Sequence, residues 1–374
     1  MKRSSLFFML MTAVSLYGYG QLKVNDSHAK QPPVIASSDD VVRFEVVSCE
    51  DTVLHRGMEQ TRDVKSGFEG GRIVKIDGVY HWITAEMAGD PMNVNMKIAH
   101  WTSRNGMDWQ RQGTLFQSDG DFSGVSQRAA VWGPMPVFME DEDRWHLFYV
   151  CYKSKPNENG IFYLNHHGVV QHAVSDVKGR NSIGGPYTDR GILMCYDGCN
   201  PDAWEDLQGT DSFFPYKVGK KWYALYGSAT TQYPDGDERR KWQVGLAQAD
   251  KIEGSWTRMS ELNPVDFVDF AENPIVMELQ KGIYIALLDG GPWINKPGFS
   301  LSTDGLKWTP LKYFELEPTV KKWWRTMRTP LSLIKEDDGT YTMFFTAFKD
   351  YPGQPTFGTL SKLTLKAMYA PTAK

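Results

Sequence analysis

The sequence predicts an all-β fold, a five-bladed β-propeller, on two observations. The first is a phrase that returns five times: an apolar strand, a tight polar turn, then a second strand opened by Tyr or Trp. The copies are Ile73–Trp82, Val137–Tyr149, Phe214–Tyr226, Ile275–Leu287 and Leu331–Phe345, and they turn at Asp77-Gly78, Glu140–Asp143, Val218–Lys220, Lys281-Gly282 and Asp337–Gly339. Residue pairs such as Asp-Gly supply the φ > 0 positions that tight hairpins need. The second observation is the spacing. The opening aromatics Tyr80, Trp145, Trp222, Tyr284 and Tyr341 follow one another at intervals of 65, 77, 62 and 57 residues. Hairpins at that period mark radial repetition, which brings the heads of the innermost strands together around one axis.

The elements follow in order. Lys2-Arg3, the short apolar run Leu6–Leu16 and the small residues Gly18 and Gly20 read as a signal peptide over residues 1–20, cut before Gln21. The run is too short for a membrane span, so the mature protein is expected in the periplasm or outside the cell. No Cys stands at the cleavage region to carry a lipid anchor. Residues 21–40 are polar and expected to be extended or disordered, and residues 41–374 to form a single propeller domain. Within it Val41–Val47 is expected to close the ring against the last blade, and the blades to begin near Phe68, Val131, Thr210, Glu272 and Arg325. Ser103-Arg-Asn-Gly-Met-Asp-Trp109 has a twin in Ser302-Thr-Asp-Gly-Leu-Lys-Trp308, with Ser, Gly and Trp at identical spacing, marking the same outer turn in blades one and four. Lys153–Gly168 and Tyr187–Gln208 break the rhythm as insertions, candidate walls of a pocket.

Composition narrows the function. A net charge of −4 with no dense basic run gives no sign of a nucleic-acid partner. The 13% aromatic content suits stacked sheets and sugar-binding surfaces alike. Cys49, Cys151, Cys195 and Cys199 admit three pairings, and Cys195 and Cys199 could close the turn between them. His166, His167 and His172 lie between Cys151 and Cys195, but no metal-ligand spacing is present. Walker-type, nucleophile-elbow, His-Glu-x-x-His and EF-hand patterns are absent.

Chemistry concentrates at the heads of the inner strands. Blade one has Glu69, blade three Asp211 and blade four Glu272; blade two has Trp132, and blade five Arg325 and Arg328. On a propeller axis the three carboxylates would share one small space. Like charges held close raise each other's pKa, so one carboxyl stays protonated while another is ionised. Glycosidic cleavage needs that pairing, an acid for the leaving oxygen and a base or nucleophile opposite. Pairing with Arg72, Arg325 or Arg328 is the competing use of these carboxylates. Arg325 and Arg328 could instead grip substrate, Trp132, Trp293, Trp323 and Trp324 could stack on sugars, and His172, with His166 and His167, could enter the pocket. Asp289-Gly-Gly-Pro292 is a candidate stretch of rim.

With these residues in place, the chain resembles the five-bladed propeller glycosidases of glycoside hydrolase family 43 and its clan, families 32, 62, 68 and 117 included. The likeness covers about Gly67 to Phe348. It rests on the carboxylate before Ile73–Trp82, the Asp before Phe213–Tyr226, Glu272-Asn-Pro274, and Trp132-Gly-Pro134, which is similar to the family's Trp-Ala-Pro. The resemblance implies Glu272 as general acid, Asp211 as the residue that tunes it and orients substrate, and Glu69 at the place of the general base. It implies an oligosaccharide substrate and no cofactor, with room for a structural Ca2+ on the axis. The chain departs from the family twice. Glu69 replaces an Asp, and Asn273 stands within the family's Glu-Gly-Pro. The longer Glu69 leaves the stereochemical course open, leaves Asp121 or Glu86 as alternative bases, and keeps a catalytically inactive carbohydrate-binding propeller as the alternative function.

Overall fold

The computed structural model describes residues 35–156, 165–196, 200–229, 242–267, 271–290, 295–316 and 323–370. The expected signal peptide, most of the polar segment after it, Cys199 and Trp293 lie outside them. Among the described residues there are 21 strands, three short 3-10 helices and no α-helix, and no helix is long and apolar enough to cross a membrane.

The chain is all-β. The strands are β1 (Val42–Cys49), β2 (Gly67–Ile76), β3 (Val79–Met87), β4 (Met96–Ser103), β5 (Gln110–Gln117), β6 (Ala130–Met139), β7 (Arg144–Ser154), β8 (Asn165–Ser175) and β9 (Tyr187–Cys195). They continue as β10 (Asp211–Val218), β11 (Lys221–Ala229), β12 (Trp242–Ala249), β13 (Thr257–Arg258), β14 (Glu272–Gln280), β15 (Ile283–Asp289), β16 (Pro297–Ser302) and β17 (Lys312–Tyr313). The last are β18 (Thr326–Pro330), β19 (Ile334–Lys335), β20 (Tyr341–Tyr351) and β21 (Gln354–Tyr369). β6–β9, β10–β13 and β14–β17 form three antiparallel four-stranded meanders. The remaining nine strands make one sheet, in which the meander β2–β5 meets β21 only through the parallel pair Gly67↔Gly358. On the far side of that pair, β18 and β19 flank β20, β20 pairs with β21, and β1 adds to β21 from Val42↔Tyr369 to Cys49↔Leu363. The chain's first strand thus covers the edge of its last sheet, an edge otherwise open to another chain.

The turn chemistry read from sequence is realised. Asp77 and Gly78 both take φ > 0 between β2 and β3, and Asp143, Gly219, Gly282 and Gly339 do so in the other four turns. The twin outer turns are built alike: the Ser103 and Ser302 hydroxyls accept from the backbone N–H of Gly106 and Gly305 at 2.9 and 2.8 Å. The Asn105 and Asp304 side chains each accept two further N–H groups at 2.8 Å. Side-chain oxygens accepting backbone N–H groups in this way hold such a turn without a ladder.

Aromatic contacts join successive sheets and also the two halves of the nine-stranded sheet. Phe116 stacks on Tyr149 at 4.8 Å and Phe148 meets Phe213 at 5.4 Å. Tyr216 meets Trp308 at 6.1 Å, Phe44 meets Phe299 at 5.2 Å, and Phe344 returns to Tyr80 at 5.3 Å. Two expectations are corrected. Ser38–Asp40 is a 3-10 turn with a capping box at Ser37, docked through Ser38 Oγ on Thr309 Oγ1 at 2.9 Å and Asp39 on Lys312. The stretch expected as an insertion from Tyr187 begins with a strand, β9, whose residues pair with β8 through Val169↔Cys195.

Two buried histidines predict a loss of stability in acid. His100 and His172 are 8% and 3% exposed, and burial, then a neighbouring histidine, pushes them down to about 4 and about 3. A histidine kept neutral in the fold favours the unfolded state once pH falls below about 6.5. Each should therefore cost about 2 kcal/mol at pH 5 relative to pH 7. Urea unfolding at the two pH values should show that drop, and His172→Gln should narrow it; an unchanged pH slope in the variant would refute the assignment.

Candidate active site

All five innermost strands break register at the same place, just after the residue at their head. The shifts fall between Glu69 and Arg72, Trp132 and Met135, Asp211 and Phe213, Glu272 and Ile275, and Met327 and Pro330. In four of them the next residue takes φ > 0: Gly70 (70°), Gly133 (52°), Ser212 (41°) and Asn273 (54°). A β-bulge re-aims a side chain that the regular pleat would direct elsewhere. This repeated bulge is the local device that presents Glu69, Trp132, Asp211, Glu272 and Arg328.

Arg328 holds the carboxylates together. Its Nε and Nη2 donate to Glu69 Oε1 at 2.9 and 2.6 Å, and Nη2 also donates to Glu272 Oε1 at 3.3 Å. Nη1 lies 3.7 Å from Asp289 Oδ2. Because Nη2 reaches both glutamates, Glu69 Oε1 and Glu272 Oε1 are at most about 6 Å apart. Burial works against the Arg328 charge, yet Glu272, Glu69 and Asp289 hold its pKa well above the ordinary value. The guanidinium already supplies the cation for these carboxylates, so they do not fit a structural Ca2+ at that point. Among the described residues no group of three or more His, Cys, Asp or Glu is placed to hold a metal.

The two other carboxyls are tuned upward. Glu272 is 4% exposed; burial raises its pKa well above the usual range, Arg328 opposes this, and Asp289, Asp211 and Glu69 add to it. Burial likewise raises Asp211, countered by hydrogen bonds from Tyr152 and from the Ser212 backbone N–H at 2.7 Å. A carboxyl of raised pKa beside a second carboxyl is an arrangement that acid/base cleavage uses.

Two members were missed or misread in the sequence. Tyr152 hydrogen-bonds Asp211 and Gln208, and sits on β7 opposite Ala130, near the head of β6. Asp289, read only as rim, is fully buried and lies directly across the ladder from Glu272. Tyr152 lies near the end and Asp289 at the end of the second strand of a hairpin, which runs back beside the head of the first; that antiparallel return is the signal that could have found them.

Other candidates lie elsewhere. Arg325 precedes β18, is exposed, and pairs with Asp350 at 3.4 Å. His172 belongs to the third strand of its sheet, stacked on Phe148 at 4.9 Å and bonded to His146 at 3.0 Å, so it does not face the carboxylates. Glu86 is consumed by Arg111 and Trp101, each at 2.9 Å. Asp121 caps a surface turn, where hydrogen bonds from Ser123 and Ser126 hold it at about 2. Arg72 donates to Pro136 O at 2.8 Å over the Phe214 ring, and burial pulls it down to about 10. The Trp323 and Trp324 indoles donate to the Glu50 and Asn295 carbonyls. Trp132 stands at the register shift of β6, with a buried Nε1 that has no hydrogen-bond partner. Cys195 is disulfide-bonded, while Cys49 and Cys151 are free.

No protein-family model and no curated protein matches the sequence. Solved structures do match. Zg3597, a family 117 glycoside hydrolase of the marine bacterium Zobellia galactanivorans, is similar with a TM-score of 0.59 at 15% identity, over 90% of this chain and 96% of that one. BT0996, solved as an RGII complex, gives 0.60 at 16% identity, over 88% and 95%. The α-L-arabinofuranosidase of Podospora anserina, in complex with cellotriose, gives 0.55 at 11%, over 87% and 98%. The chain therefore shares its all-β fold with these solved structures, a family 117 glycoside hydrolase and an α-L-arabinofuranosidase among them.

Proposed function

We propose that the chain is an exported glycoside hydrolase that releases a terminal sugar from a plant or algal oligosaccharide. Catalysis takes place on the axis of a five-bladed ring, with β2–β5 and the group β18–β21 with β1 counted as separate blades. The cyclic order of aromatic contacts supports that count. The observation that carries the function is the shared Arg328 Nη2, which brings Glu69 and Glu272 within reach of one glycosidic bond, while burial raises the pKa of Glu272. Glu272 donates the proton to the leaving oxygen. Glu69, hydrogen-bonded by the Arg328 guanidinium, acts opposite it, and Asp211 tunes Glu272. The family 117 hydrolase and the arabinofuranosidase among the similar structures support a glycosidase.

A screen against plant and algal oligosaccharides and against aryl glycosides of L-arabinofuranose, xylose, galactose and anhydro-sugars tests this, with Glu272→Gln as control. Turnover by the wild type alone is expected. One observation favours a second reading, a sugar-binding propeller without turnover: Arg328 already takes Glu69 Oε1. Binding without hydrolysis across the panel would establish it. Glu69→Asp should lose most activity, since it draws the carboxylate back by one methylene and reacting geometry tolerates little displacement. Full activity in steady-state assays would show that the extra methylene is incidental.

A further inference from the structure

We propose that Asn273 is a specificity-determining residue, whose Nδ2 donates a hydrogen bond to a hydroxyl of the sugar beside Glu272. The inference rests on the glycosidase reading and adds a residue to it. Asn273 follows Glu272 directly and takes φ = 54°, a conformation glycine holds without strain. A side chain is kept here against that backbone preference. Its orientation is set: Ser212 Oγ, from the neighbouring sheet and next to Asp211, donates to Asn273 Oδ1 at 3.2 Å. With Oδ1 so engaged, Nδ2 is turned away from Ser212. It is buried without a hydrogen-bond partner on a residue 9% exposed. A buried donor left unmade is costly, and such groups in native proteins usually meet water or a ligand. Ser212 has φ = 41°, so two non-glycine residues in left-handed conformations, each beside a catalytic carboxylate, are joined across two sheets. Strain of this kind gathers at functional sites.

The pairing also explains why asparagine suits the place. Asn is among the residues that tolerate φ > 0, and its amide offers an acceptor to Ser212 and a donor to the substrate at once. A sugar ring, with hydroxyls that accept as readily as they donate, is the complement. A site that donates to a substrate hydroxyl discriminates far more strongly than an apolar wall does.

The test uses the full mature chain and two variants. Ser212→Ala/Asn273→Gly removes both partners of the bridge and relieves the backbone. Asn273→Asp keeps the acceptor for Ser212 and removes the N–H donor. Turnover is read on the aryl glycosides of L-arabinofuranose, xylose and galactose, at each variant's own pH optimum, with thermal melting in parallel. Both variants should lose roughly tenfold to hundredfold in kcat/KM; the double variant should melt near the wild type, while Asn273→Asp, which adds a buried carboxylate beside Glu272 and Asp211, should melt lower at pH 7 than at pH 5. A kcat/KM within threefold of wild type in either variant would overturn the inference and leave the glycosidase reading standing. If the double variant fails to fold, Asn273→Asp decides alone. Should the wild type bind but not cleave, calorimetry with L-arabinose, xylose and galactose replaces turnover: tenfold weaker binding supports the role of Asn273, and unchanged binding refutes it. Neither binding nor cleavage by the wild type would overturn both readings.

Discussion

Glu272→Gln should abolish turnover of unactivated glycosides while leaving the fold and sugar binding largely intact. The substitution keeps shape and removes only the transferable proton, and a positioned general acid contributes roughly 10²–10⁴-fold. Glu272 meets the physical requirements for that role. It is buried, it lies across the ladder from the buried Asp289, and its pKa is raised by burial against the opposing pull of Arg328. The amide can still accept from Arg328, so the melting transition should stay near that of the wild type. Near-normal rates in the variant, measured under saturating substrate, would remove Glu272 from the acid role.

The second large effect is on stability. Arg328→Met should cost about 3–5 kcal/mol at neutral pH, because it leaves Glu69 and Glu272 facing an apolar side chain. The sign with pH is set by the carboxyls. Carboxyls without a cation and out of water take up protons more readily in the folded state, so their cost grows as pH rises above about 4–5. The gap between variant and wild type should therefore be wider at pH 7 than at pH 5 in urea unfolding. A variant as stable as the wild type at pH 7, or a gap that widens on acidification, would contradict the role given to Arg328. Activity should be lost as well, since Arg328 sets the separation of the two glutamates.

Much of this was legible in the sequence because it is local. Asp77-Gly78, Lys281-Gly282 and the other turns dictate hairpins by backbone chemistry alone, and each turn has its φ > 0 residue in place. The heads of the inner strands were legible too, since Glu69, Asp211 and Glu272 occupy equivalent places in a repeat. What escaped depends on register. Arg325 and Arg328 are three residues apart and look interchangeable in sequence; the bulge between Met327 and Pro330 brings only Arg328 to the carboxylates. Tyr152 and Asp289 come to the site from strand ends whose pairing no local pattern announces. His172 was misplaced because a polar residue in a third strand can serve the core: paired with His146 and stacked on Phe148, it is satisfied without reaching the axis.

The central claim is that Glu272 protonates the leaving group, and dependence on the leaving group tests it most directly. On the sugar identified by the screen, kcat/KM of wild type and Glu272→Gln is compared for a methyl glycoside and a 2,4-dinitrophenyl glycoside. Dinitrophenolate leaves without a proton, so the variant should keep rates within about tenfold of wild type on that substrate and lose roughly 10²–10⁴-fold on the methyl glycoside. An equal loss on both substrates would show that Glu272 does not act as the acid.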